Sequence, residues 1–183
     1  MINLWGVPKP SMRAFEMLNL LAETEAEVTL SSNVSAATAG SGCGCCRDSL
    51  TLNRCCEQVS TLTVLAGGKV DGPGGGEVRV ILANHACPTC PEPADVTINQ
   101  VSVSGEWASA TIRRIDSTHA NPHAAWVALG SPNYPTDPAI ETMRNASELA
   151  STSVGVKCQA GECHLAAPLT VPAHGVVEVV VRT

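Results

Sequence analysis

The sequence predicts a mostly β fold: an antiparallel β-sandwich with one short helix at its N-terminus and two short helices in a late connection. Three observations carry this expectation. Short apolar segments are separated by Gly-, Pro- and Asn-bearing turn signals, the pattern of antiparallel strands rather than of a parallel sheet. Within Glu77 to Ala83, Val78, Val80 and Leu82 alternate with Glu77, Arg79 and Ile81, the two-residue period of a half-buried strand. An apolar content of 44% with 15% charged residues, in 183 residues, is the composition of one folded domain. Aromatic residues make up only 3%, so the core must rest on Val, Leu, Ile and Ala.

The elements follow in chain order. Pro8 and Pro10 stiffen an extended lead-in, and Ser11 is placed to cap a helix running to about Ala22 or Glu23. Ala14, Met17, Leu18 and Leu21 share one face of that helix, and Arg13, Glu16, Asn19 and Glu23 share another. Val28 to Leu30 reads as a short strand. Ser31 to Asn53 is small, polar and cysteine-rich, so a loop with an insertion at about 40–58 is expected. Ser60 to Ala66, Glu77 to Ala83 and Asp95 to Val103 read as strands. The glycine-rich link from Gly67 to Gly76 is a turn and lacks the Gly-Lys-Ser/Thr ending of a phosphate loop. Trp107 to Ile115 is a further strand, and Val176 to Val181 the last. Between these two, Asn121 and Pro122 suit the N-cap and first position of a helix ending at Gly130, and Thr136 can cap a second helix carrying Ile140 and Met143.

Composition also excludes. A formal charge of −6 without a Lys/Arg cluster argues against a nucleic-acid partner, because such binding draws its affinity from basic residues. No run approaches the roughly 18 to 20 apolar residues needed to cross a bilayer. The start, MINLWGVPKPS, lacks a basic region followed by an apolar stretch, so any targeting segment is expected upstream of it. There is no Gly-x-Ser-x-Gly elbow for Ser/His/Asp catalysis, and nothing calls for a cofactor.

Nine cysteines stand at 43, 45, 46, 55, 56, 87, 90, 158 and 163. Cys87 and Cys90 flank Pro-Thr and Cys158 and Cys163 flank Gln-Ala-Gly-Glu, so a local disulfide is sterically open to each pair, worth about 2 to 4 kcal/mol or less. The odd total leaves at least one thiol free or joined to another chain, which makes a disulfide-linked partner an open possibility. Cys43-x2-Cys46 and Cys87-x2-Cys90 could together supply four thiolates to zinc, but the pairs are far apart and crowded, and no metal site is assigned. His119 and His123 have the i, i+4 spacing of a helical metal pair, which Pro122 between them breaks. Asp116 beside Arg113 and Arg114 suits a local ion pair. Asn33 and Asn145 begin glycosylation sequons, which with the cysteines point to a secretory route.

Two segments carry a family resemblance. Ala110 to Leu149, ATIRRIDSTHANPHAAWVALGSPNYPTDPAIETMRNASEL, joins an arginine-rich strand end, an Asn-Pro turn, a Trp-bearing helix and a Pro-punctuated loop; Leu4 to Leu21, LWGVPKPSMRAFEMLNLL, precedes it. Together they resemble the C-terminal region of glycoside hydrolase family 39, the β-xylosidases and α-L-iduronidase. The resemblance implies that residues 1–27 are the remnant of a segment closing a catalytic β/α barrel, and that residues 28–183 form the accessory β-sandwich. At 183 residues the chain is too short for a barrel of about 250 residues plus a sandwich.

The same resemblance implies a parent enzyme that hydrolyses glycosidic bonds, xylosides before iduronides, by a retaining mechanism needing two carboxyl groups about 5 Å apart. The family's two barrel glutamates have no counterpart here, and no Asn-Glu dipeptide occurs. Arg114, Asp116, Asn121, Trp126 and Tyr134 are then expected to organise the sandwich and its contact with the barrel, a role in assembly without chemistry. The residues alone read as a surface helix packed on this domain, whereas the resemblance makes its stripe one built for the barrel and left uncovered; a sandwich that lacks an upstream strand would have an unpaired edge. The parent is expected to be secreted or lysosomal. The alternative is a stand-alone extracellular module stabilised by disulfides. Trp5, Trp107, Trp126, Tyr134 and Phe15 are a thin supply for a sugar-binding platform.

Overall fold

The structure, a computed structural model, describes residues 3–21, 28–32, 60–69, 76–86, 95–104, 107, 109–159 and 162–182. Two five-stranded antiparallel sheets face each other. One contains β1 (Val28–Ser32), β4 (Val96–Ser104), β7 (Val156–Gln159), β8 (Glu162–Leu165) and β9 (Leu169–Val171), in the order β1-β4-β8-β7, with β9 also on β4. The other has the order β2-β3-β10-β5-β6, from β2 (Ser60–Lys69), β3 (Glu77–Ala86), β5 (Ser109–Ile115), β6 (Ser151–Val154) and β10 (Val176–Arg182). Helices α1 (Pro10–Asn19), α2 (Pro122–Ala128) and α3 (Asp137–Ala146) complete the fold.

The two-residue period places Val78, Val80, Leu82, Ala110, Ile112, Val177, Val179 and Val181 on the inner face of one sheet. Opposite them lie Val96, Ile98, Val101, Cys163, Leu165, Leu169 and Val171. Ile98 and Val101 both face inward although three residues apart, because Asn99 is an extra residue opposite the Ser31–Ser32 step of β1 and switches the parity of β4. Trp107, 7% exposed, is the one aromatic residue in this cluster, in keeping with an aliphatic core.

A second, smaller cluster lies on the outer face of the β3-β10-β5 sheet. Met17 of α1 is fully buried against Ile81, Ile115 and Ala120, with Ala14, Leu21, Leu149 and Val176 around it. The helix stripe is therefore covered along Ala14, Met17 and Leu21 by this chain's own sheet, and the expectation of a wholly uncovered stripe is corrected. Only its flank, Phe15 at 56% and Leu18 at 39% exposure, remains open.

Helix boundaries follow proline. Pro10 occupies the first turn of α1, so Lys9, and not Ser11, is the N-cap, without a side-chain bond. Asn121 caps α2 by accepting from the Ala124 amide at 3.3 Å, whereas Thr136 caps α3 by backbone alone. The strand over 60–66 extends to Lys69, taking in Gly67 and Gly68 through pairing with β3. Four strands, β6 to β9, also lie where only two helical pieces were expected between the last two strands. Among the described residues β1, β2, β6, β7 and β9 are paired on one side only.

Met17→Ala should remove the plug between α1 and the sheet and lower unfolding free energy by roughly 2 to 5 kcal/mol, read as a fall in urea midpoint. A change under about 0.5 kcal/mol, the usual range for surface positions, would show that α1 is not docked.

Candidate functional site

The N-terminal segment and the late connection are fastened into one surface. The Asn3 side chain accepts from the amides of Trp5 and Val7 at 3.1 and 2.9 Å, closing a turn that buries Val7. Gly6 takes a positive φ of 71° there, and an added Cβ would stand 3.3 Å from Arg144 Nη2. That guanidinium donates to the Trp5 carbonyl at 3.2 Å. From α1, Arg13 donates through Nε to the Ser147 carbonyl and through Nη2 to Glu148 Oε1, both at 2.7 Å, and pairs with Glu16 one turn on. Arg13 is 11% exposed, so these bonds are shielded more than an ordinary surface pair.

Asp116, at the end of β5, organises the connection. Its Oδ1 accepts from the Thr118 amide and hydroxyl, both at 2.8 Å, and from the His119 amide at 2.9 Å, and its Oδ2 lies 2.8 Å from His119 Nδ1. Partial burial raises the Asp116 pKa, but the Thr118 and His119 hydrogen bonds outweigh it and hold the carboxyl below its ordinary range. Asn121 returns the loop on itself, donating to the Ser117 carbonyl at 3.0 Å. Trp126 donates from Nε1 to the Pro132 carbonyl at 3.1 Å and lies 5.5 Å, centroid to centroid, from the His123 ring.

The structure thus brings Asp116, Asn121 and Trp126 into one braced loop and helix. Tyr134, beyond the Trp126–Pro132 tie, is 92% exposed. Arg114 is apart from them: it pairs with Val177 on the inward-facing register of β5 and donates to the Thr170 carbonyl of the opposite sheet at 3.4 Å. Asp116 pairs with His119, and the neighbouring Arg113 has a different partner. His119 and His123 also face different partners, and among the described residues no three His, Cys, Asp or Glu side chains converge as a metal site.

A disulfide joins Cys158 and Cys163, directly opposed across the β7-β8 hairpin. Asn145 is exposed in the last turn of α3. Cys87, Cys90 and Asn33 lie outside the described residues. No helix among the described residues is long and apolar enough to cross a membrane.

One cluster was not foreseen. Glu178, in the middle of β10, is fully buried and pairs with Arg79 of β3 at 3.0 Å and with Arg113 of β5. Glu77 extends the row, held by Arg79 and Arg182. Its burial favours the neutral acid, yet the Arg182 hydrogen bond and the charge of Arg79 leave its pKa lowered overall. Part of the signal was present, since Glu178 interrupts VVEVVV; the pairing places Arg113 of β5 directly opposite it and Arg79 of β3 diagonally, opposite Val180.

Neither Glu77 nor Asp116 has the environment of a glycosidase acid. A general acid needs its pKa raised, and both resolved shifts here run downward. Glu16, Glu77, Glu148 and Glu178 are each paired with arginine.

The family model for glycosyl hydrolases family 39 matches residues 1–161. A curated β-xylosidase from Caldicellulosiruptor saccharolyticus is 26% identical over 156 residues, 84% of this chain and 25% of its own length. A monomeric β-xylosidase from Caulobacter crescentus CB15 is similar in fold over 99% of this chain and 32% of its own, with 14% identity and a TM-score of 0.53. A bacterial orthologue of human α-L-iduronidase is 22% identical, covering 66% of this chain and 22% of its own, with a TM-score of 0.49. The chain spans about a quarter of the length of the curated relative it matches.

Glu178→Gln should cost roughly 3 to 5 kcal/mol, because it leaves two guanidiniums over a neutral buried amide; an unchanged denaturation midpoint would contradict the assignment. The lowered Asp116 pKa stabilises the fold above the ordinary carboxylate value of about 3.9, and this contribution is lost as pH falls through the lower folded value. Melting temperature followed from about pH 5 to pH 2 should therefore fall less steeply in Asp116→Asn than in the parent sequence. Equal slopes would remove Asp116 from the account.

Proposed function

Because this chain belongs to glycosyl hydrolases family 39, we propose that it is the non-catalytic accessory sandwich of a glycoside hydrolase whose active site lies in a separate catalytic barrel. The single observation that carries this reading is the extent of the match: 84% of this chain aligns with only 25% of a curated β-xylosidase. Glu77 and Asp116 favour the same assignment, since arginines and hydrogen bonds hold their pKa values down and neither is set up to protonate a leaving group. The parent then hydrolyses O-glycosidic bonds in carbohydrate, β-xylosides first, through a carboxyl pair contributed by the barrel.

In this reading residues 1–27 are the last segment of the barrel, already seated on the sandwich, and residues 28–183 are the sandwich itself. Arg13 and Met17 lock the seat from within. The open flank of α1, Phe15 and Leu18, together with Leu4, Val127, Leu129 and Tyr134, supplies large exposed apolar groups for contact with the rest of the barrel. Asp116, Asn121 and Trp126 hold the α2 end of that surface in shape. Secretion of the parent fits the Cys158–Cys163 disulfide, which persists in oxidising compartments.

Two experiments test the proposal. With an aryl β-D-xylopyranoside as substrate, the 183-residue chain should show no turnover above buffer, while the longer polypeptide containing it should hydrolyse the glycoside. Turnover by the chain alone would overturn the assignment. Phe15→Asp with Leu18→Asp should leave this chain's stability within about 0.5 kcal/mol, as at other exposed sites, and lower the melting temperature of the longer enzyme. No effect on the longer enzyme would remove this flank from the interface.

A further inference from the structure

We infer that the corner where the chain crosses between the two sheets is a binding site for a small aromatic monocarboxylate. The crossing occurs at Gly155, between β6 of one sheet and β7 of the other, and is tied by the Ala166 amide donating to the Gly155 carbonyl at 2.8 Å. Behind that tie lies a cavity of about 170 Å³. Its walls are Ile112 of β5, Val154, Leu165 of β8 and Leu169 of β9, with Ala167 and Pro168 in the connecting bend. Ile112, Leu165 and Leu169 are buried core residues, so the floor is apolar, while Ala167 and Pro168 are exposed and form the rim.

The volume sets the size of the ligand body. A cavity of about 150 Å³ is large enough to hold benzene. Arg114 sets the charge. It belongs to the same wall, half-buried, and among the described residues its side chain bonds only the Thr170 carbonyl, at 3.4 Å from Nη1. It differs in this from Arg13, Arg79, Arg113, Arg144 and Arg182, each of which has a carboxylate partner. A guanidinium has five N–H donors arranged to meet a carboxylate two at a time. A benzene-sized body on the aliphatic floor and a single carboxylate on Arg114 satisfy both halves of the site, whereas a phosphate would bring two charges to one cation and leave the floor uncovered.

The site is separate from the assembly surface, because Arg114 points between the sheets while Met17 and Ile81 lie on the opposite face of the same sheet. Its occupant is therefore independent of the glycosidase reading.

The test is isothermal titration of sodium benzoate into the longest natural form of the protein, with benzamide as the neutral counterpart of equal size. Benzoate should bind at one site with a Kd on the order of 1 mM, and benzamide at least tenfold more weakly. Arg114→Leu should weaken benzoate at least tenfold and bring the two ligands level, Arg114→Lys should retain part of the preference, and Ala167→Phe, which fills the rim without touching the charge, should abolish both. Each variant is compared at matched melting temperature, so that loss of fold is separated from loss of binding. Absence of benzoate binding, equal affinity for benzamide, or full affinity in Arg114→Leu would each overturn the inference.

Discussion

The structure depends on burying β10 from both sides. An outermost sandwich sheet ordinarily keeps one face wet, but Val177, Val179 and Val181 fill the inner core while Glu178 and Val180 on the outer face are also inaccessible. A doubly buried strand needs a second layer, and its one charge needs partners. The layer is supplied at one end by α1, whose Met17 packs on Ile81 and Ile115 of the strands flanking β10. The partners come from the same two strands, where Arg79 and Arg113 converge on Glu178. An apolar residue at 178 would avoid the cost of desolvating a carboxylate; the glutamate instead pins β3 and β5 to β10 at one register, since a slip by one residue would carry it to the inner face.

The same constraint explains why the ends of the sequence and its middle meet. Burying Met17 requires α1 to stay on the sheet, and α1 is only ten residues long, too short to persist in water unaided. Arg13 fastens it to Ser147 and Glu148, and Arg144 fastens the preceding turn through Trp5. The late connection is braced in turn by Asp116, Asn121 and Trp126. Arg13, Arg144 and Asp116 are each engaged in holding segments together. The chain belongs to glycosyl hydrolases family 39 and matches a quarter of a curated β-xylosidase, and the proposed place beside a catalytic barrel rests on that.

What could be read from the residues divides along physical lines. Strands with a clear two-residue period and an apolar core face, such as Glu77–Ala86 and Val176–Arg182, were legible to within a few residues, as were α2 and α3 from their Asn-Pro and Thr-Asp-Pro starts. Strands β6 and β7 were not, because side chains along Ser151–Gln159 are mostly exposed and hydrogen bonding to β5 and β8, not periodicity, makes them strands. β8 and β9 are four and three residues long, below the length at which alternation is informative. In the candidate surface, Asp116, Asn121 and Trp126 share one loop and helix, but Arg114 faces the sandwich interior, since one residue along a strand exchanges one face for the other. The charge inside VVEVVV was visible for Glu178, but its partners lie on two distant strands and only the fold identifies them.

The central claim, that this polypeptide is the sandwich of a larger glycosidase, is tested most directly by the mass of the native protein. Antibody raised against residues 110–149 should detect, in extracts of the source cells, a band several-fold heavier than 18.9 kDa. A single band near that mass would contradict the account and leave a free-standing, disulfide-bonded module.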